Sequence, residues 1–262
     1  MITSQTEDAV DATLTLRTYR LVISYLGTRY RGWQRQANGH SVQAEIEKAL
    51  ERLWGRPVTL HGSGRTDTGV HARGQVAHFR VAGRFRDGIT LRRALNANLP
   101  DDVRIMKAGK VADDFHARFS AVGKEYLYRV RAADVHDPLE LGRVWYIPRR
   151  LDVVRMNQAS AFLVGSHDFS AFASNPGYAR ETMVRTLFQA RWIQRGTLYS
   201  FRIRGDGFLY RMVRNVVGAL IRVGDGRLEV DGFKELLESR QRSNAPPTAP
   251  PQGLCLMKVF YH

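Results

Sequence analysis

The sequence of 262 residues contains a single cysteine, Cys255. One thiol excludes an intramolecular disulfide framework and any zinc site built on several thiolates, and it fits a reducing compartment. No apolar run approaches the ~18–20 residues of a membrane span. Residues 1–17 carry Glu7, Asp8 and Asp11 without an apolar stretch, which predicts a flexible tail rather than a signal peptide. We therefore expect a cytoplasmic protein with no membrane partner.

Acidic residues are few for a chain of this length. They number 25 against 40 lysines and arginines, so the formal net charge is +15. Six of the cations are lysines and 34 are arginines, whose planar forks suit phosphate binding and base stacking. A coding bias towards arginine explains the ratio equally well, but it does not explain the excess charge. Because the cations are spread along the chain rather than confined to one amphipathic helix, nucleic acid is favoured over a membrane surface as partner.

The hydrophobic pattern mixes strands and helices without a regular alternation of the two. Alternating apolar residues predict strands at 19–25, 58–61, 76–81, 126–130, 199–203 and 254–261. Helices are predicted after the capping residue Ser41 as far as Gly55, after Asp152 as far as Gly165, and over 209–220. This mixture favours an α+β fold with mostly antiparallel sheets.

The order of predicted elements before and after a turn at residues 99–102 is similar. We therefore expect three segments. They are a flexible N-terminal tail at 1–17, an N-terminal α+β half at 18–110 and a C-terminal α+β half at 111–262.

A loop with three glycines, residues 62–69, separates two predicted strands of the N-terminal half. It is not a dinucleotide fingerprint, because Asp67 replaces the third glycine, and Val70-His71 replaces the Lys-Ser/Thr of a Walker loop. The loop therefore presents one carboxylate, Asp67, which the nearby Arg65 would keep ionised. A paired aspartate suits a nucleophile or a general base. From these residues alone, a Gly-Asp turn with an incidental ion pair is the simpler interpretation.

Histidines and acidic doublets offer potential metal ligands, but their placement does not favour a metal site. The residues concerned are His71, His78, Asp101-Asp102 and Asp113-Asp114. Neighbouring strand residues point to opposite faces, so a doublet rarely supplies two ligands to one ion, and solvated turns are the preferred interpretation. We expect His116 to be a structural histidine and expect no metal.

The segment Gly64-Arg65-Thr66-Asp67-Thr68-Gly69-Val70-His71-Ala72, followed by Gly74-Gln75-Val76, resembles the signature of the TruA family of tRNA pseudouridine synthases. Further matches cover most of the chain after about Tyr19. They are Gly32-Trp33-Gln34-x-Gln36, Asn96-x-Asn98-Leu99-Pro100, Asp114 to Ser120, Lys124-x-Tyr126-x-Tyr128, His167-Asp168-Phe169, Met212-Val213-Arg214-Asn215 and Gln252-Gly253-Leu254. Two departures are Leu26, where the family often has Asp, and Thr68, where it commonly has Ala.

The resemblance implies a pseudouridine synthase fold, in which two related halves join their sheets around a central basic cleft, usually in a homodimer. It implies isomerisation of uridine to pseudouridine at positions 38, 39 and 40 in the anticodon stem-loop of tRNA. Asp67 would be the nucleophile, attacking the sugar C1′ or the base C6, and no cofactor would be needed.

The resemblance also implies roles for four other residues. Arg65 would pair with Asp67 and help to flip the nucleotide, and the ring of Tyr126 would stack on the reacting base. Arg214 and Leu254 match residues near the substrate pocket. From the residues alone, Tyr126 is more simply a core aromatic, while a core position for Leu254 and a solvated helix face for Arg214 explain these residues equally well.

Two other functions fit parts of the sequence. A basic RNA-binding protein without catalysis has the same charge, and a magnesium-dependent nuclease would use Asp67 with the acidic doublets.

Overall fold

The computed structural model describes residues 16–36, 39–83, 85, 87–175, 177 and 181–262. The α-helices of this part of the chain are α1 (Val42–Trp54), α2 (Gly88–Asn96), α3 (Val153–Ala161), α4 (Met212–Gly224) and α5 (Val230–Ser239). The strands are β1 (Leu16–Tyr25), β2 (His61–Gly62), β3 (His71–Ala82), β4 (Val103–Val111), β5 (Ala121–Ala132), β6 (Trp145–Ile147), β7 (Gly165–Asp168), β8 (Val184–Arg195), β9 (Leu198–Gly205) and β10 (Leu254–Tyr261).

These strands form one large sheet in the order β4-β1-β3-β10-β5-β9-β8-β7, with β2 paired to β3 and β6 paired to β5. Most pairs are antiparallel, and the parallel ones are β3 with β10 and β5 with β6. The predicted α+β class is therefore confirmed. None of the described helices has the length and apolar character needed to cross a membrane.

The last strand of the chain joins the strands of the two predicted halves. In β10, Cys255 and Leu256 pair with His71 and Ala72 of β3, and the other edge of β10 pairs with β5. The start of β3, which follows the glycine-rich loop, therefore lies at the centre of the sheet. The boundary that we propose after residue 110 falls at the end of β4, and β1 begins at Leu16, inside the predicted tail. The rest of that tail, residues 1–15, lies outside the described residues.

The helix boundaries follow the capping residues. The Ser41 hydroxyl accepts a hydrogen bond from the Ala44 amide at 3.3 Å, and α1 ends at Gly55 in the left-handed conformation, with φ +70°. The Asp152 carboxylate accepts hydrogen bonds from two amides at the start of α3. The predicted end of this helix at Gly165 is wrong, because Gly165 has φ +110° and begins β7. The caps therefore fix both ends of α1 and the start of α3 as the sequence indicated.

The strand predicted at residues 58–61 is reduced to the two residues of β2. Side chains of α1 take the hydrogen bonds of the preceding backbone: the Leu60 amide donates to the Glu47 carboxylate at 3.1 Å, and the Gln43 amide group donates to the Leu60 carbonyl at 2.9 Å. Val58 and Leu60 are nevertheless buried, which explains the alternating pattern. The strand predicted at 76–81 is part of the longer β3, and β10 has the predicted bounds.

Candidate active site

The glycine-rich loop between β2 and β3 presents Asp67 with 20% of its side chain exposed. The loop turns sharply after this residue: the Val70 amide donates to the Asp67 carbonyl at 3.1 Å, and Gly69 has φ +78°. Before it, the Thr66 carbonyl accepts a hydrogen bond from the Trp33 amide at 3.2 Å. The backbone on both sides of the carboxylate is therefore held in place.

Gly32 packs closely against the backbone of the loop at Thr66 and Asp67. It has φ +89°, and a Cβ added there would lie 2.5 Å from the Thr66 carbonyl oxygen and 3.2 Å from the Asp67 carbonyl carbon. Only glycine combines this conformation with so close an approach of two backbones. The sequence match at Gly32-Trp33 therefore marks a residue that sets the position of Asp67, a role that the sequence alone did not indicate.

The base of the loop is bound by two polar side chains. The Gln75 amide group donates to the Gly64 carbonyl at 2.9 Å and accepts from the Ser63 hydroxyl at 2.7 Å. From β5, the Lys124 ammonium donates to the Ser63 carbonyl at 2.9 Å. Burial, together with the Arg118 cation, lowers the pKa of Lys124 to about 8. Gln75 and Lys124 lie in segments that resemble the family, but no sequence pattern indicates their contacts with the loop backbone.

Asp67 forms an ion pair with Arg214, which lies in the first turn of α4. The Arg214 Nη1 atom is 2.7 Å from Asp67 Oδ2, and 11% of the arginine side chain is exposed. The Arg214 Nε–H group donates to the Ala249 carbonyl at 2.8 Å, and the Ala249 amide donates to the Arg214 carbonyl at 3.1 Å. Arg214 thus joins the glycine-rich loop, α4 and the proline-rich segment 244–251, and the solvated-face interpretation is wrong.

The pairing expected of Arg65 is therefore made by Arg214. The Arg65 side chain is exposed, and within the described ranges it has no hydrogen bond or ion pair. The physical reason is that the fold brings the Arg214 guanidinium from α4 to within 2.7 Å of the carboxylate, whereas the Arg65 side chain extends into solvent. Arg65 is left accessible to a ligand, and its role in flipping the nucleotide stays a proposal.

Tyr126 and Leu254 lie on the neighbouring strands β5 and β10. Both are buried, with 8% and 6% exposed, and Leu254 pairs with Tyr128 across the two strands. The Phe208 ring contacts the Tyr126 ring edge-on at 5.0 Å. Burial is the main cause that raises the pKa of Tyr126 well above its usual range, and the negative charge of Asp67 is the second. Tyr126 is therefore a neutral aromatic group close to the Asp67 carboxylate.

His71, His78 and the Asp101-Asp102 doublet have structural partners, whereas Asp113 and Asp114 are exposed. His71 Nδ1 accepts from the Gly27 amide at 3.0 Å, and Asp102 binds Tyr30 and Arg29. Asp101 pairs with Arg104. Over the described ranges, no three His, Cys, Asp or Glu side chains are grouped so as to hold a metal ion.

The close contact at Gly32 predicts an effect on turnover. We expect Gly32→Ala to lower turnover roughly 10²-fold, because the added methyl group displaces the backbone before Asp67. Gly55→Ala is the matched control: Gly55 also has positive φ, but a Cβ there meets nothing within 4 Å. Single-turnover rates and melting temperatures check this. Equal loss of turnover in both variants would show that only left-handed strain, about 1 kcal/mol, is involved.

Comparison with known proteins gives one consistent family. The family model described as tRNA pseudouridine synthase matches residues 21–120 and 159–262. A protein named tRNA pseudouridine synthase A from Methylacidiphilum infernorum is 47% identical over 243 residues, covering 93% of this chain and 95% of that protein. A protein of the same name from Acetivibrio thermocellus is 42% identical over 246 residues, covering 94% of this chain and all of that protein. A third, from Rhodospirillum rubrum, is 44% identical over 244 residues, covering 93% and 87%.

Proposed function

The chain belongs to the tRNA pseudouridine synthase family, and from this premise we propose that it isomerises uridine to pseudouridine in the anticodon stem-loop of tRNA, at positions 38, 39 and 40. The observation that carries the proposal is the partly exposed Asp67 carboxylate, paired with Arg214 beside a buried aromatic ring. We place this reaction in the cytoplasm.

Asp67 acts as the nucleophile. In the reaction the bond between the base N1 and the sugar C1′ breaks, a bond between C5 and C1′ forms, and the C5 proton is lost while N1 gains one. The carboxylate attacks C1′ or C6 and is released at the end, so the enzyme is regenerated and the composition of the RNA is unchanged. No oxidant, reductant or nucleotide is consumed.

Arg214 orients the nucleophile. Its Nη1 atom donates a hydrogen bond to Asp67 Oδ2 at 2.7 Å, which leaves the other carboxylate oxygen for the substrate. Because the same guanidinium is fixed to the Ala249 carbonyl, the carboxylate is aimed in one direction before substrate binds. Arg65, exposed and without a protein partner among the described residues, is available to fill the space that the extruded nucleotide leaves.

Tyr126 and Leu254 form an apolar wall for the extruded base. Stacking of a base on an aromatic ring contributes about 1–3 kcal/mol, which offsets part of the cost of removing the base from its helix. Leu254, at the start of β10, lies on the strand next to that ring.

The stacking role predicts an order among Tyr126 variants. We expect Tyr126→Phe to keep kcat/KM within about tenfold and Tyr126→Leu to lose roughly 10²-fold, because only the first variant retains a ring face. Steady-state kinetics on a tRNA transcript check the order. Greater activity of the Leu variant would contradict stacking.

Recognition of the rest of the tRNA rests on charge and shape. With a net charge of +15, the protein contacts phosphates mainly through arginines, and two copies in a homodimer would grip one tRNA together. Added salt then weakens binding. In a plot of the logarithm of the binding constant against the logarithm of salt concentration, each neutralised phosphate contributes a slope of about −0.7 to −0.9.

Replacement of single uridines tests the proposed specificity. Transcripts in which uridine 38, 39 or 40 is replaced by cytidine should each lose one pseudouridine in nucleoside analysis, while a transcript with all three replaced should gain none. Unchanged conversion of the triple variant would contradict the assignment to the anticodon stem-loop.

A further inference from the structure

Phe119, in the segment between β4 and β5, is a large aromatic residue that the fold leaves in solvent. Its exposed fraction is 77%, which is more than that of Phe188 at 51%. Exposing a whole apolar ring to water is unfavourable relative to burying it. The position is therefore a candidate contact for a ligand.

The Phe119 ring is held in place because the His116 ring packs against one of its faces. The two rings stack with centroids 4.3 Å apart and planes 27° apart. His116 Nδ1 accepts the backbone amides of Arg118 and Phe119, both at 3.2 Å, which places any ring proton on Nε2. Burial, with added repulsion from His61 and Arg118, lowers the pKa of His116, so the supporting ring is neutral at pH 7. One face of Phe119 is thus covered and the other is presented outwards.

The segment itself is anchored to two strands. The Ala117 amide donates to His78 Nδ1 of β3 at 3.1 Å, and the Tyr261 hydroxyl of β10 donates to the Ala117 carbonyl at 2.7 Å. The His116 amide donates to the Ser120 hydroxyl at 3.0 Å. Phe119 is therefore held in its exposed position before any ligand arrives, which reduces the entropy cost of binding.

Arg118 lies beside Phe119 and also influences Lys124, which binds the loop that contains Asp67. The Arg118 guanidinium lies 5.6 Å from the Phe119 ring centroid. The same cation is close enough to lower the pKa of Lys124, whose ammonium binds the Ser63 carbonyl at the base of the loop. The adjacent cleft of about 470 Å³ contains Arg56 and Arg80 but also Asp113 and Asp114. The carboxylates of Asp113 and Asp114 disfavour binding of a phosphate inside this cleft. Arg118 is therefore the cation that we assign to phosphate binding next to the Phe119 ring.

We infer that Phe119 is a second stacking platform, which binds a nucleobase of the tRNA outside the catalytic pocket, while Arg118 contacts a neighbouring phosphate. This inference rests on the proposed function for its ligand. A polyanionic ligand fits better than a protein partner, because the chain has a net charge of +15 and the cation beside the ring is an arginine, whose planar guanidinium suits phosphate. Other proteins bind single-stranded and loop nucleotides with the same combination of an aromatic face and a basic residue.

Binding of one tRNA transcript to four variants tests this. We expect Phe119→Ala and Phe119→Leu to weaken binding about tenfold and to raise KM, with kcat within about twofold at saturating tRNA, and Phe119→Trp to bind as tightly as the wild type. Leu139→Ala, which shortens a side chain that is 83% exposed, is the control and should change nothing. Circular dichroism checks that each variant is folded.

A spectroscopic readout separates stacking from a structural effect. Tryptophan fluorescence of Phe119→Trp, measured against the wild type, should fall when tRNA is added. Wild-type affinity of both Phe119→Ala and Phe119→Leu would overturn the inference, as would a change of oligomeric state in these variants with tRNA affinity retained. If the wild type binds tRNA but forms no pseudouridine, the proposed function fails, whereas these affinities still decide the inference.

Discussion

Asp67→Asn is expected to abolish turnover, by roughly 10⁴-fold or more, while leaving tRNA affinity within a few fold of the wild type. The amide has the shape of the carboxylate and fits the same turn, but it is not a nucleophile. Its loss of charge slightly favours binding of a polyanion, and it leaves Arg214, 11% exposed, without its acidic partner. Single-turnover conversion followed by mass spectrometry, together with filter binding, measures both effects.

Asp231→Asn is the control for the loss of one negative charge. Asp231 is exposed in the first turn of α5, and its variant should retain wild-type turnover. Near-normal turnover of Asp67→Asn would remove Asp67 as the nucleophile and leave the loop without a chemical role.

Arg214→Met is expected to lower turnover roughly 10²- to 10³-fold and to destabilise the fold by about 1–3 kcal/mol. The variant loses both the ion pair with Asp67 and the hydrogen bond to the Ala249 carbonyl. Arg214→Lys keeps the charge, but its ammonium cannot hold both partners in the geometry of the guanidinium fork, so we expect intermediate activity. Rates and melting temperatures of the two variants check this order.

Arg222→Met, on the same helix, is the matched control for Arg214→Met. Arg222 lies 3.8 Å from Asp225 and is 32% exposed. It should affect stability slightly and turnover not at all. If the two methionine variants had the same turnover, Arg214 would be a structural residue of α4 and would not organise the active site.

Local signals in the sequence predicted the elements whose ends are set by one side chain. The hydroxyl of Ser41 and the left-handed Gly55 delimit α1, and apolar alternation gave β10 its bounds. The same alternation predicts a strand at residues 58–61, and this is wrong for residues 58–60. The backbone of Leu60 forms hydrogen bonds with the side chains of Gln43 and Glu47 rather than with a strand. Periodicity reports burial but does not show which group takes each hydrogen bond.

The candidate site shows the same limit over a longer range. The loop and its carboxylate were evident from three glycines around Asp67, but the cation beside the carboxylate is 147 residues away in sequence. Nearness in the chain favours Arg65 as the partner of Asp67, but the fold brings Arg214 to Asp67 from α4. Gly32, Gln75 and Lys124 act through backbone contacts, which leave no residue pattern that chemistry alone would recognise.

The central claim is that the Asp67 site moves the glycosidic bond of uridine from nitrogen to carbon. Its most direct test is tritium release from tRNA transcripts labelled at uridine C5, with wild-type protein in excess. We expect release equal to the number of uridines converted, RNA of unchanged length and no loss of activity in EDTA. Tight binding of tRNA without release would contradict it and indicate an RNA-binding protein, and shortened RNA with sensitivity to EDTA would indicate a nuclease.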